Sequence, residues 1–412
     1  MVALPLCLCA CALEPIRFDR WQIEAPTRTQ LAALVVRADE TADTLFERFC
    51  TDDGAFLYRR PTTPHPRKGI YLDLADQSCW SGYLLATLSF QHVCSPSPVV
   101  LQRARLVLAG MERLHAATGV RGLIARGAVP TAVATKVQHH PETWQVAAHD
   151  ESWSCRVDTS KDQYSGYVLG LVAAMQCIDD PTVQERAAFL LLAIAGHLED
   201  GALRIHGVDG TVTRFGDLRP RIFGAPIGVH SAILLGTFQG ALQALDIVND
   251  ADDWAALGLE TTRDRAQRRE QFEHRIQQCL GCLEPLHFAL FGIRNYNNDA
   301  MTAAGLMAFA LAEPLLGQRR QVRAALRDFF PAFVGEGNAL FVSLAALYGL
   351  RDDFDEDWAR RNLVSAPRAR AMRTLVVAPP EDLPPLVVRA KNGETLRCSY
   401  VTLCESQTIA SA

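Results

Sequence analysis

The chain lacks most of what the commoner function classes require. No stretch of about 18 residues or more, the length a membrane-spanning helix needs, is apolar throughout, so no transmembrane segment is expected. Positive charge is not in excess: 41 Lys and Arg stand against 46 Asp and Glu, a net charge of −5. No Lys/Arg run carries interleaved aromatics either, so nucleic acid is not expected as a partner. A zinc set is missing, because Cys279-Leu-Gly-Cys282 has no second Cys-x-x-Cys and no His-x-x-x-His to complete it. Nothing else in the chain asks for a metal or a cofactor, and neither is expected. Most of the 12 cysteines, such as Cys79, Cys94 and Cys177, stand singly in apolar stretches where a thiol acts as a small hydrophobe. Strand-period alternation is almost absent, which points to an all-α chain. The apolar opening 1-MVALPLCLCACALEP-15 is too short to span a membrane. Its Leu8-Cys9-Ala10-Cys11 fits a lipoprotein processing site but lacks the preceding Lys/Arg, so an exported and a cytoplasmic protein stay equally open.

What the chain does have is apolar material and helical period. At 412 residues and 49% hydrophobic, it can bury a sizeable core in one repeat-built domain or two. Apolar residues recur at three and four spacing over about 27–49, 77–94, 97–117, 163–178, 181–200, 226–249, 264–284, 298–315, 318–333 and 337–350. Short connections such as 95-SPSP-98 and 179-DDP-181 join these runs into antiparallel αα hairpins. The runs 168-VLGLVAAMQC-177, 187-AAFLLLAIAG-196 and 303-AAGLMAFALA-312 are apolar nearly all round, whereas 264-DRAQRREQFEHRIQQ-278 is charged on one side. Enclosed and outer helices in alternation favour a closed (α/α) toroid or barrel over an open solenoid, because the repeat lengths are uneven.

Four longer connections, at about 50–76, 118–157, 201–225 and 286–297, cannot enter a packed interior and would shape a mouth at one end. The third contains a β-hairpin signal, Asp209-Gly210 between Leu203/Ile205 and Val212/Phe215, which predicts a type I′ turn. The expected organisation is an N-terminal arm over 1–26, a toroid domain over 27–351, and an irregular tail over 352–412 packed on it, with a turn at Asn392-Gly393.

The stretch 152-SWSCRVDTSKDQYSGYVLGL-171 concentrates chemistry at a helix start. Ser160 and Gln163 fit a capping box, and Asp162 in the first turn suits the positive helix end. Capping alone leaves unexplained why Trp144, Trp153, Tyr164 and Tyr167 gather beside Arg156 and Lys161. Aromatic faces beside carboxylates and cations suit a sugar ring, which offers a CH face for stacking and hydroxyls for charged hydrogen bonds. Asp158 and Asp162 would then approach the roughly 5 to 9.5 Å separation of paired carboxylates in glycoside hydrolysis. A second start, 73-DLADQSCWSGYLLATLSF-90, repeats the order Asp-Gln, aromatic, Gly, and adds Asp76 and Trp80. A third, 294-RNYNNDAMTAAGL-306, offers Asn297, Asn298 and Asp299, which cap helices routinely. Arg121, Arg126, Arg214, Asp217 and Arg219 in the loops grip an anion if they face inward and are solvated turn residues if they do not. His139, His140 and His149 read as loop histidines.

The order 76-DQSCWSGYLLATLSF-90, 118-TGVRGLIARG-127, 158-DTSKDQYSGYVLGL-171 and 209-DGTVTRFG-216 resembles that of bacterial proteins of the six-hairpin glycosidase-like (α/α) toroid superfamily, over roughly residues 27–350. The resemblance implies five to six helical hairpins and a cavity at one end with acidic and aromatic walls, at Asp76, Trp80, Arg126, Asp158, Asp162 and Tyr164. Neither the paired histidines of the superfamily's epimerases nor a Tyr/His/Arg lyase signature is found. The first expectation is a carbohydrate-active enzyme, a hydrolase of an oligosaccharide or uronic-acid-containing glycan, with Asp76, Asp158 and Asp162 as candidate catalytic carboxylates. Trp80, Arg126, Trp153, Lys161, Gln163, Tyr164, Arg214 and Asn298 are the candidate substrate-binding residues. Two other readings stand beside it: a non-catalytic helical scaffold, and a cyclase or isomerase of an apolar substrate with an Asp proton donor. The latter sits poorly with 8% aromatic content.

Overall fold

The structure is a computed structural model that describes residues 76–132, 143–286 and 296–330, the strands Leu386–Arg389 and Thr395–Cys398, and scattered positions within 42–50, at 134 and within 341–350. Among the described residues it is mostly helical, with nine α-helices: α1 (Gln77–Cys94), α2 (Pro98–Ala116), α3 (Lys161–Cys177), α4 (Pro181–Asp200), α5 (Gly228–Ile247), α6 (Ala251–Leu257), α7 (Thr262–Leu280), α8 (Tyr296–Leu311) and α9 (Leu316–Phe329). Small antiparallel sheets accompany them. β1 (Gly127–Pro130), β2 (Trp144–Ala147) and β3 (Asp150–Arg156) form one sheet in the order β1-β3-β2. The pairs β4 (Arg204–His206) with β5 (Val212–Asp217), β6 (Arg221–Ile222) with β7 (Ala225–Pro226), and β8 (Leu386–Arg389) with β9 (Thr395–Cys398) are two-stranded.

Local chemistry sets the helix starts. Ser97 accepts from the Val100 N–H at 3.2 Å with Pro98 as the first residue of α2, and Asp180 accepts from the Val183 N–H at 2.9 Å with Pro181 opening α4. Proline suits that position because its missing N–H would have no partner in the helix. Thr261 and Asp264 cap α7 reciprocally, at 3.1 and 3.0 Å.

Burial sorts the helices into two layers. α3 is buried without a break from Gln163 to Met175, α5 from Gly228 to Ala241, and α8 from Met301 to Ala310. By contrast α7 buries only Phe272, Ile276, Cys279 and Leu280, and its outer face carries ion pairs Arg268–Asp200, Arg269–Asp246 and Arg275–Glu199. The enclosed helices run parallel, as steadily advancing contact pairs show. Gln163 meets Asp76 and Gly170 meets Gly82 between α3 and α1; Lys161 meets His230 and Gln176 meets Gln243 between α3 and α5; Gly305 meets Ala232 and Ala312 meets Gln239 between α8 and α5. The starts of all four therefore lie at one end of the layer. α3 is the pivot, touching α1, α5 and α8.

Glycine makes the α1–α3 contact close. A Cβ on Gly166 would lie 2.5 Å from the Cys79 carbonyl oxygen, and one on Gly170 2.5 Å from that of Gly82. Neither position tolerates even a methyl group without moving a helix backbone.

Several sequence expectations need correction. α6 was not anticipated, and the connection 118–157 carries the three-stranded sheet rather than irregular loop alone. The β4–β5 hairpin is present, but its turn is not a two-residue type I′: strand pairing stops at His206 and resumes at Val212, and only Gly210 has positive φ, at 74°. Asp209 instead accepts from the Thr211 N–H at 2.9 Å, a local side-chain turn that lengthens the loop. Most of the helical run at 27–49, the connection from 51 to 75, the arm 1–26, and the tail apart from its two paired strands, including the Asn392-Gly393 turn between them, lie outside the described residues.

Candidate functional site

Three helix starts and two sheet ends converge where the parallel layer begins. Asp76 is the residue before α1, yet its carboxylate makes no bond to its own helix. It accepts from Gln163 Nε2 at 2.7 Å and from an Arg126 terminal nitrogen at 3.2 Å, which ties the starts of α1 and α3 together. Gln163 does double duty, since its Oε1 accepts from the Ser160 N–H at 2.9 Å. The Ser160 hydroxyl is turned to Asp162 and to Gln163 Oε1.

Arg126 reaches this place because it directly precedes β1, whose partner β3 ends at Arg156. Its second terminal nitrogen donates to the Asp158 carbonyl at 3.3 Å. Arg156 grips the Asp158 carboxylate with two bonds of 2.6 and 2.8 Å, so both of its oxygens are engaged. Asp76 and Asp162 are the more available pair: the side chain of Asp76 is 43% exposed, and Asp162 is half-buried. Both charges act on the Cys79 thiol, whose pKa is pushed up mainly by its burial and then by these two carboxylates. Asp76 and Asp162 thus stand at the starts of neighbouring parallel helices, where both charges are felt by one buried thiol.

A second cluster joins α3 to α5. Lys161 Nζ lies 3.0 Å from His230 Nε2. His230 Nδ1 lies 3.0 Å from the Arg219 carbonyl oxygen, which only accepts, so the ring carries its proton on Nδ1 and presents a lone pair to Lys161. Burial first, and the Lys161 charge second, push the His230 pKa down to about 4. Burial likewise lowers the Lys161 pKa, with Asp162 and Asp217 acting in the opposite direction. Asp217 itself is bound through both oxygens by Arg219, with bonds from 2.6 to 3.1 Å, and is held below the usual carboxylate range.

The remaining candidates are dispersed. Trp80 is 50% exposed and packs on Tyr83 with ring centroids 5.7 Å apart, tilted by 43°. Asn298 is half-buried at the start of α8, at the same end of the layer, beside the buried Asp299. Tyr164 is fully enclosed and its hydroxyl donates to the Gly122 carbonyl at 3.0 Å; Tyr167 is enclosed likewise, bonded to the Met111 carbonyl. Trp153 is buried in a satellite core with Leu114, Ala125 and Cys155, beneath the Arg113 guanidinium. Neither Tyr164 nor Trp153 presents a ring face to solvent, because both are buried. Arg214 is exposed over Phe215 on the hairpin, and Arg121 bonds the Ala256 carbonyl on the outside. His149 is exposed in the β2–β3 turn; His139 and His140 lie outside the described residues. Among the described residues no group of three or more His, Cys, Asp or Glu is placed to hold a metal ion, and no helix is long and apolar enough to cross a membrane.

Replacing Tyr164 by phenylalanine tests the enclosed position. Stability is expected to fall by about 1 to 2 kcal/mol in urea titration, because the Gly122 carbonyl loses its buried donor, with no change in ligand binding.

His230 went unnoticed in the sequence although a signal was there: it is the one titratable side chain between Arg221 and Asp246. No protein-family model, curated protein or solved structure matches the chain. What the described residues define is a mostly helical protein whose parallel inner helices begin at a charged end beside small antiparallel sheets.

Proposed function

We propose that the chain is a carbohydrate-active enzyme, a hydrolase of oligosaccharides or uronic-acid-containing glycans, built on an (α/α) toroid of the six-hairpin glycosidase-like kind. The observation that carries this reading is the placement of Asp76 and Asp162 at adjacent parallel helix starts, tied together by the Gln163–Asp76 bond. A carboxylate pair fixed on two rigid helices is what acid and base roles at a glycosidic bond require. Trp80 supplies a stacking face, and Arg126 and Gln163 hold Asp76 in place. Asp158 serves as the orienting partner of Arg156 rather than as a proton carrier, since both its oxygens are bonded. The enclosure of α3, α5 and α8 beside the charged outer α7 agrees with a toroid. The polar, charged mouth argues against the cyclase reading, in which aromatic faces would line the cavity.

The test is turnover of neutral, uronic and unsaturated oligosaccharides by the wild type, Asp76→Asn and Asp162→Asn. At least one variant is expected to lose about 10²- to 10⁴-fold in kcat while its melting temperature stays near that of the wild type. A wild type that turns over none of the panel, or two variants that keep full activity, would overturn the proposal.

A further inference from the structure

We propose that Lys161 and His230 form an anion-recognition site beside the carboxylate pair, which takes the carboxylate or phosphate group of an acidic sugar. This rests on the reading of the mouth as a sugar site and adds to it the charge class of the ligand and the residues that select it.

The argument begins with a half-buried ammonium. Lys161 is the first residue of α3, and among the described residues its one hydrogen-bond partner is an imidazole, with no carboxylate in ion-pair contact. The neighbouring carboxylates are engaged elsewhere, Asp217 by Arg219 and Asp162 by the Ser160 hydroxyl. A cation taken partly out of water is normally matched by an anion at contact distance.

His230 explains how the ammonium is held. With its proton fixed on Nδ1 by the Arg219 carbonyl, the neutral ring offers Nε2 as an acceptor and orients Lys161 Nζ. An uncharged acceptor fixes the direction of the ammonium without cancelling its charge, and the other two N–H donors remain for a ligand. A carboxylate in the place of His230 would have held the lysine equally well and neutralised it.

The nearby helix ends add positive potential, and of the two carboxylates that act on Lys161, Asp217 is ion-paired to Arg219 and Asp162 is bonded to Ser160. Lys161 and His230 lie in the first turns of α3 and α5, whose N-terminal dipole ends add positive potential at one place. Arg219 sits beside them with its side chain 40% exposed. Lys161 and Asp162 are consecutive first-turn residues of α3, and the Asp162 charge acts on Lys161, so an anion held by Lys161 is bound at the same helix start as that carboxylate.

The experiment is calorimetric titration of wild type, Lys161→Met and Lys161→Arg with methyl glucuronide, its neutral counterpart methyl glucoside, and glucose 6-phosphate. The wild type is expected to prefer an acidic sugar by about tenfold or more, as a charge-assisted bond warrants. Lys161→Met is expected to abolish that preference and Lys161→Arg to retain part of it. A preference for the glucuronide identifies a carboxylate ligand, and one for the sugar phosphate a phosphate ligand. Equal binding of acidic and neutral sugars by the wild type, or an undiminished preference in Lys161→Met, overturns the proposal and leaves the hydrolase reading standing. A Lys161-dependent preference in a protein that hydrolyses nothing supports the anion site and sinks the hydrolase reading. Should Lys161→Met fail to fold, the ¹⁵N signal of His230 Nε2 in the wild type decides: it moves on adding the acidic sugar alone if the proposal holds, and stays still or moves with both sugars if it does not.

Discussion

Gly166→Ala is expected to destabilise the folded chain by about 3 kcal/mol or more, measured by urea unfolding. The added methyl group would sit 2.5 Å from the Cys79 carbonyl oxygen and 2.8 Å from its sulfur. A side chain can rotate away from such an overlap, but a carbonyl within α1 cannot, so the two helices must separate. That separation opens the most extensive helix contact in the described structure and stretches the Gln163–Asp76 bond at the mouth. The same substitution at Gly196 is the control. A Cβ there meets nothing within 4 Å, and alanine is expected to stabilise α4 by up to about 1 kcal/mol, because glycine loses more backbone freedom on folding. If Gly166→Ala were as harmless as Gly196→Ala, the close parallel packing of α1 on α3 would be wrong.

Acidification from about pH 7 to 4 is expected to remove about 3 kcal/mol for each of His115 and His230. Burial pushes both rings from the ordinary value of 6.5 down to about 4; His197 adds to the effect at His115 and Lys161 at His230. Above pH 6.5 neither the folded nor the unfolded chain protonates these rings, so their full contribution is present. Between 6.5 and 4 the unfolded chain takes up protons that the folded one refuses, and stability falls. Below about 4 both forms are protonated and these two rings cause no further loss. The carboxylates that hydrogen bonds hold low, such as Asp217 and Asp264, act below this window, because their unfolded forms protonate only near 3.8. Urea midpoints at pH 7.0, 5.5 and 4.5 read the slope, and His115→Gln should flatten about half of it. His115 is the better choice, since its Nε2 accepts from the Gly122 N–H at 2.8 Å, away from the mouth. A midpoint that stays constant down to pH 4.5 would show that the two rings are not buried in neutral form.

The sequence by itself determined the helices and their layers. The α1 expectation at 77–94 coincides with Gln77–Cys94, and the charged 264–278 run became the outer α7, because period and polarity are local properties of the chain. The repeated Asp-Gln before an aromatic and a glycine was also legible: both copies stand at parallel helix starts, where Gln163 of one bonds Asp76 of the other. What the sequence could not say is which way a side chain turns once the helices pack. Tyr164, two residues beyond Asp162, points into the core because glycine contact draws α3 against α1, whereas Trp80 on the partner helix stays exposed. Asp158 looked as available as Asp162 until the sheet register placed Arg156 against it. His230, 69 positions from Lys161, became its partner only through the parallel docking of α5 on α3. Helical period follows from neighbours in sequence, while the charge and partners of a site depend on neighbours in space, and those the tertiary structure alone decided.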